Sequence, residues 1–192
     1  MGIYETLLKR RTIRRFKSKA IPYEILEKCV NAARLAPSAR NQQSLEFVII
    51  DDAQLLGKVF DTLRFAGSIR PAGYPPPEQR AMAYIIILSR NEIALKAWVK
   101  CDVGFAAENM VLVAIEEGVG SCCVGLIKTR ELGQILNIPD DYAIELVLAL
   151  GYPDEQPVIA EITDDITMWE DKNTVLHIPK RKLAEVLHRN QF

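Results

Sequence analysis

The chain has 192 residues, 49% of them hydrophobic and 26% charged, with 10 glycines and 10 prolines, a size and balance that suit one globular domain and argue against disordered or coiled-coil classes. Lys and Arg total 24 against 25 Asp and Glu, a formal charge of -1. No long-range positive field therefore gathers nucleic acid or an anionic membrane, and any anion site has to be local.

Ile3, Leu7 and Leu8 share one face of a short helical pattern over Ile3 to Lys9, which ends in the charged run Arg10-Arg11-Thr12-Ile13-Arg14-Arg15-Phe16. Pro22 stands where a first helical residue belongs, and Ile25, Leu26, Cys29, Val30 and Ala33 recur at helical spacing until Pro37 stops them. A polar break over Ser38 to Gln42 precedes a buried strand, Leu45 to Ile50. A helix from about Ala53 to Leu63 leads into Gly67 to Pro77, whose prolines and glycines read as a surface loop. Ala83 to Leu88 is a second core strand, and Asp102 to Glu117 is a long helix rich in small residues, closed by Gly118. Ser121 to Val124 reads as a short strand, Leu132, Ile135 and Leu136 mark a helix, and Ala143 to Leu150 is a last strong strand. Residues 152 to 175 are polar and acidic and read as a linker before a short helix beginning near Pro179-Lys180-Arg181. The order points to α+β or mixed α/β, and with no glycine-rich turn after a strand it disfavours a Rossmann domain.

Groups for hard chemistry are few: His177 and His188 are the only histidines, and there is no H-E-x-x-H, G-x-S-x-G, Walker loop or Cys/His metal spacing. Cys29, Cys101, Cys122 and Cys123 form no C-x-x-C pair and no disulfide framework, which fits a reducing cytoplasm. The charged amino-terminal stretch has no signal-peptide core, and no apolar run approaches a membrane span. A bound organic cofactor is then the natural source of reactivity. Arg10, Arg11 and Arg14, with the Thr12 hydroxyl among them, can fork onto phosphate oxygens; a basic cluster past a helix end can equally meet the last carbonyls or stay solvated.

Four segments, in order, resemble the nitroreductase family. Arg10-Arg11-Thr12-Ile13-Arg14-Arg15-Phe16 looks like its R-R-S-x-R-x-F opening, and Ala36-Pro37-Ser38-Ala39-Arg40-Asn41-Gln42-Gln43 like its A-P-S-x-x-N-x-Q loop. Asp102-Val103-Gly104 with Asn109 to Ala114 is similar to the central-helix signature, and Gly118 to Gly125 with Ile138-Pro139 and Leu148 to Pro153 resembles the carboxy-terminal half. The resemblance implies an α+β fold, a nitroreductase-like single domain with a mostly antiparallel central sheet flanked by helices, in which residues 152 to 192 extend onto the body or a partner subunit. It also implies an intertwined homodimer with FMN between the subunits, reduced by NADH or NADPH.

On that resemblance Arg10, Arg11, Thr12 and Arg14 would hold the phosphate, ribityl chain and pyrimidine edge, with Arg14 the cation near N1 and O2. Pro37, Ser38, Ala39 and Asn41 would line the isoalloxazine from the other subunit, the plain alternative being a proline helix stop and a polar loop. Val124 and Gly125 would turn backbone N–H groups to N5 and O4, or simply end a strand. Lys180 and Arg181 would reach the phosphate, or begin an exposed helix whose dipole they oppose. Cys122 and Cys123 read as small hydrophobes. The chain departs from the N-x-Q-P-W form of many relatives at Ser44-Leu45, and in the loop Gly67 to Pro77 Arg70 and Tyr74 are candidates for substrate contact. No side chain is expected to act as nucleophile: the implied chemistry is ping-pong transfer from NAD(P)H to a small electron-poor acceptor such as a nitroaromatic or quinone. A flavin carrier or sensor, reductive dehalogenation and flavin fragmentation are the other readings of the same scaffold.

Overall fold

The computed structural model describes residues 2–65, 74–162 and 165–192. The first half of the chain forms α1 (Ile3–Lys9), α2 (Tyr23–Arg34), β1 (Leu45–Ile50), α3 (Ala53–Asp61), β2 (Ala83–Arg90) and α4 (Val99–Glu116). The second half forms β3 (Gly120–Val124), α5 (Thr129–Leu136), β4 (Tyr142–Gly151), β5 (Val158–Glu161), β6 (Trp169–Glu170) and β7 (Leu176–Lys180). The first four strands make one sheet in the order β1-β2-β4-β3, and every neighbouring pair is antiparallel.

Both faces of the two inner strands are covered, which is why β2 and β4 are nearly unbroken apolar runs rather than alternating ones. Ala83, Ile85, Ile87, Leu148 and Leu150 join α2 and α4 in one core. Tyr84, Ile86, Leu88, Val147 and Ala149 join α3 and α5 in the other. On α4 the buried Ala106, Ala107 and Ala114 let α2 lie close, against Leu26, Cys29 and Ala33. Gly118 takes φ +73 just after α4, the left-handed residue that lets the chain turn into β3. Asp52 caps α3, accepting from Gln54 N at 2.7 Å and Leu55 N at 3.3 Å. No described helix is long and apolar enough to cross a membrane, and no group of His, Cys, Asp or Glu among the described residues could hold a metal ion.

The carboxy-terminal segment differs from the sequence reading. Instead of a linker and a helix starting at Pro179, it forms a second sheet, β5-β7-β6, with β5 parallel and β6 antiparallel to β7. Lys180 closes β7, and only a single 3-10 turn, Leu183–Glu185, follows. Pro179 is tolerated because β6 pairs with Leu176 and His177 alone, which leaves β7 an edge on that side from residue 178 onward.

Candidate functional site

Arg10 leaves α1 in extended conformation (φ -56, ψ 126), and the next residues run across the ends of β3 and β4. Ile13 N donates to Ser121 O at 2.9 Å, Phe16 N to Gln79 O at 2.9 Å and Lys17 N to Tyr152 O at 2.8 Å. The side chains of Ile13 and Phe16 are buried and hold this segment on the sheet. Their seat is a pair of glycines opposite one another in the ladder, Gly120 and Gly151. A Cβ on Gly120 would stand 2.8 Å from Ile13 Cγ1, and one on Gly151 would stand 2.7 Å from Phe16. Glycine is required here for close approach, not for an unusual backbone angle.

From the far side, the chain after β4 clamps the same segment. Asp154 N donates to Arg15 O at 2.9 Å, and Glu155 Oε1 accepts from the backbone N–H of both Arg14 and Arg15, the latter at 3.1 Å. The Arg15 guanidinium turns to Glu170 at 3.1 Å.

Between segment and small sheet lies a pocket of about 410 Å³. Arg10, Arg11, Thr12 and Arg14 line one wall, and Ile159, Ile178 and Lys180 line the other. Arg14 Nε and Nη1 and Arg11 Nε are buried without a hydrogen-bond partner. A buried guanidinium N–H left unpaired is costly, and Arg11 and Arg14, which carry these atoms, are among the cations that line the pocket. Burial first, and the neighbouring Arg10 cation second, lower the Arg11 pKa, the mark of like charges gathered in a partly dry place. The other Arg11 nitrogens do what a cation past a helix end does: Nη1 donates to Leu8 O at 2.8 Å and to Arg10 O at 2.5 Å. Arg10 leans toward Glu108, 3.7 Å away. The Cys122 thiol is pushed up to about 11 by burial, Arg14 drawing it partly back.

The other expected residues lie elsewhere. Arg181 is exposed, donates to Glu185 O at 2.7 Å and does not line the pocket. Val124 is buried at the end of β3, and Gly125 follows it in the open, with no atom within 4 Å of where a Cβ would stand. Pro37 and Ser38 line a separate pocket of about 160 Å³ beside Asp102 and Ala106. There Ala39 begins a 3-10 turn, and Arg40, Asn41 and Gln43 all take positive φ (54, 55 and 49). Asp102, buried at the start of α4, accepts from Ala39 N at 3.0 Å, and Ser38 Oγ accepts from Gln43 N at 3.1 Å. Three non-glycine residues held left-handed within four positions cost free energy, the kind of strain that collects at ligand-contacting loops. Of the loop Gly67 to Pro77, residues 67–73 and hence Arg70 lie outside the described residues. Tyr74 packs edge-on against Phe60 and Phe65 and is held on the body.

Sequence reasoning missed Glu155 and Glu170. Both fall in a stretch read as an acidic linker, and only the tertiary return of the chain gives them partners.

The family model named Nitroreductase family matches residues 7–152. The chain belongs to the nitroreductase family. An Archaeoglobus fulgidus member with the provisional name NADH dehydrogenase/NAD(P)H nitroreductase is 32% identical over 162 residues, covering 81% of this chain and 87% of its own. An iodotyrosine deiodinase from Thermotoga neapolitana is 26% identical, with 80% and 89% covered. Among solved structures, an FMN-dependent nitroreductase from Clostridium difficile superposes with a TM-score of 0.69 at 24% identity, covering 97% of this chain and 98% of that one. The shared fold is therefore nitroreductase-like, and the family makes this chain an oxidoreductase.

Proposed function

We propose that this nitroreductase-family protein is an FMN-dependent NAD(P)H oxidoreductase that works as a homodimer and reduces small electron-poor acceptors such as nitroaromatics and quinones. The observation that carries the reading is the set of buried, unpartnered guanidinium atoms on Arg14 and Arg11, two residues that line a pocket together with Thr12 and Lys180. That donor set fits a flavin mononucleotide, whose phosphate oxygens would take guanidinium, hydroxyl and ammonium donors and whose pyrimidine edge would take the guanidinium of Arg14. FMN, when bound, supplies two-electron transfer at N5, first from the nicotinamide and then to the acceptor.

The chain's own residues bind, orient and shield. Arg10, Arg11, Thr12 and Lys180 would hold the phosphate end, and Arg14 would offer its positive charge to the pyrimidine edge, where charge gathers on reduction. Backbone N–H groups at Val124 and Gly125 would serve the reactive edge, the open surroundings of Gly125 leaving room for close approach. Pro37, Ser38, Ala39 and Asn41 do not line the arginine pocket of their own chain, and in the proposed homodimer they would reach the ring from the second copy. Ile3 (76% exposed) and Tyr4 (73%) on α1 and Phe105 (51%) on α4 are the apolar surface that such a pairing covers.

The test is a visible spectrum of the purified protein, anaerobic addition of NADH or NADPH, and then of a nitroaromatic or quinone. Bleaching of a bound-flavin spectrum, followed by its return, supports the proposal; a colourless protein that FMN does not reconstitute overturns it. Reductive dehalogenation is the second reading, favoured by the likeness to the Thermotoga iodotyrosine deiodinase. Release of halide from a halophenol by the reduced protein, with no turnover of nitro compounds, would choose it.

A further inference from the structure

We infer that Glu155 is a positioning residue that aims the Arg14 guanidinium and thereby sets the affinity and reduction potential of the flavin, an inference that rests on the FMN reading above. Two successive backbone N–H groups, those of Arg14 and Arg15, converge on one oxygen, Glu155 Oε1. Converging amides of this kind form a small anion-binding concavity. Here the protein fills it with its own carboxylate, so the phosphate does not compete for these amides and is left to the side chains.

The neighbouring contacts make the arrangement directional. Asp154 N donates to Arg15 O at 2.9 Å, so residues 154 and 155 grip the backbone of Arg14 and Arg15 through both a carbonyl and two amides. Arg15 is drawn away and neutralised by Glu170 at 3.1 Å, with both side chains largely buried. Arg14, fixed at the backbone by a carboxylate that does not engage its Nε or Nη1, keeps those atoms buried and unpaired beside the pocket. A long flexible side chain has rotamer freedom to lose; fixing its backbone removes part of that cost before the ligand arrives. The same carboxylate places one negative charge near Arg14 and so moderates the positive field at the flavin.

The experiment compares Glu155→Gln and Glu155→Ala in the full chain, both of which lack the charge, so a difference between them reports the hydrogen-bond acceptor. FMN affinity is read from flavin fluorescence, the midpoint potential of bound FMN from reductive titration against a reference dye, and stability from urea unfolding. Glu155→Gln keeps an acceptor oxygen and is expected to bind FMN within about threefold of the wild type, with a more positive potential. Glu155→Ala is expected to bind about tenfold or more weakly than Glu155→Gln, at a more negative potential than Glu155→Gln. If Glu155→Ala does not fold, Glu155→Met, of similar length and likewise without charge or an oxygen acceptor, takes its place with the same expectation. Equal affinity and potential in the two variants overturn the inference, including the case where only urea stability changes. A wild type that binds FMN while the variants match sinks this inference alone; a wild type that takes up no FMN sinks the FMN reading and this inference with it.

Discussion

Replacing Gly151 by Ala tests whether the sheet and the arginine segment are mechanically one piece. The new Cβ would lie 2.7 Å from Cβ, Cγ and Cδ1 of Phe16, a side chain with 0% exposure. Carbon pairs rest at about 3.5–4.0 Å, so something has to move by about 1 Å. β4 cannot retreat, since it is hydrogen-bonded to β2 on one side and β3 on the other. The displacement therefore falls on Phe16 and, two residues away, on Arg14. Over-packing of this kind costs about 1–3 kcal/mol, and three simultaneous close contacts on a fully buried ring put the expected loss at about 2–3 kcal/mol. Urea unfolding of the apoprotein should show it as a lower midpoint at unchanged slope, and FMN titration should show affinity reduced about tenfold as Arg14 shifts. Gly57→Ala serves as the control: it lies in α3 with nothing within 4 Å of the added carbon. That variant should gain about 0.5–1 kcal/mol and leave FMN affinity unchanged. A Gly151→Ala protein with wild-type stability and wild-type FMN affinity would refute the reasoning.

Changing Arg10 and Arg14 together to Ala should weaken FMN binding by about 3–4 kcal/mol, because each removes charged hydrogen bonds in a partly buried pocket, and fluorescence titration showing unaltered affinity would remove the assignment. Asp102→Ala strands the Ala39 N–H and should lower stability by about 1–3 kcal/mol, whereas Asp102→Asn, which keeps an acceptor oxygen, should lose less; equal urea midpoints for the two would show that the hydrogen bond at 3.0 Å does not hold the loop. Burial raises the thiols of Cys29 and Cys122 to about 11. At pH 8 their thiolate fraction is about one in a thousand, so a thiol reagent should spare both in the native protein, and rapid labelling of either in a peptide map would contradict their placement. Because their folded pKa values lie above the unfolded value near 9, the stability they contribute is complete below about pH 9 and declines as pH rises toward about 11, which urea midpoints at pH 8 and 10.5 should show.

The elements that were readable in the sequence are those whose burial is strong and local. β2 presents Ala83 to Leu88 to two cores at once and cannot be mistaken, and α4 repeats its small apolar residues over five turns. β7 was not readable, because Pro179-Lys180-Arg181 imitates a helix start while the real signal, Leu176 and Ile178 alternating, is only a few residues long. Its parallel partner at Val158 pairs with His177 across an intervening strand, and nothing local announces that pairing. Within the site, the cluster Arg10, Arg11, Thr12 and Arg14 was visible as a set, but which guanidinium stays unpaired depends on tertiary neighbours. Arg11 spends Nη1 on the carbonyls of Leu8 and Arg10, and Arg15 and Arg181 go to Glu170 and Glu185, leaving Arg14 as the principal donor.

That sorting is what the proposed anion site requires of a chain of formal charge -1. Glutamates occupy the surroundings of the cluster one partner at a time: Glu108 beside Arg10, Glu170 on Arg15, and Glu155 on the backbone between. Each removes repulsion that would otherwise drive the arginines apart, and none takes the buried Nε and Nη1 of Arg14. Outside the pocket, charges of the two signs stand close together along this segment, and salt screens them over about a Debye length of 8–10 Å. Inside it Arg14, whose Nε and Nη1 have no partner, would act at short range on a ligand small enough to enter a volume of about 410 Å³. On the proposed reading, preference for a small phosphorylated molecule follows from where the glutamates stand, not from the count of arginines.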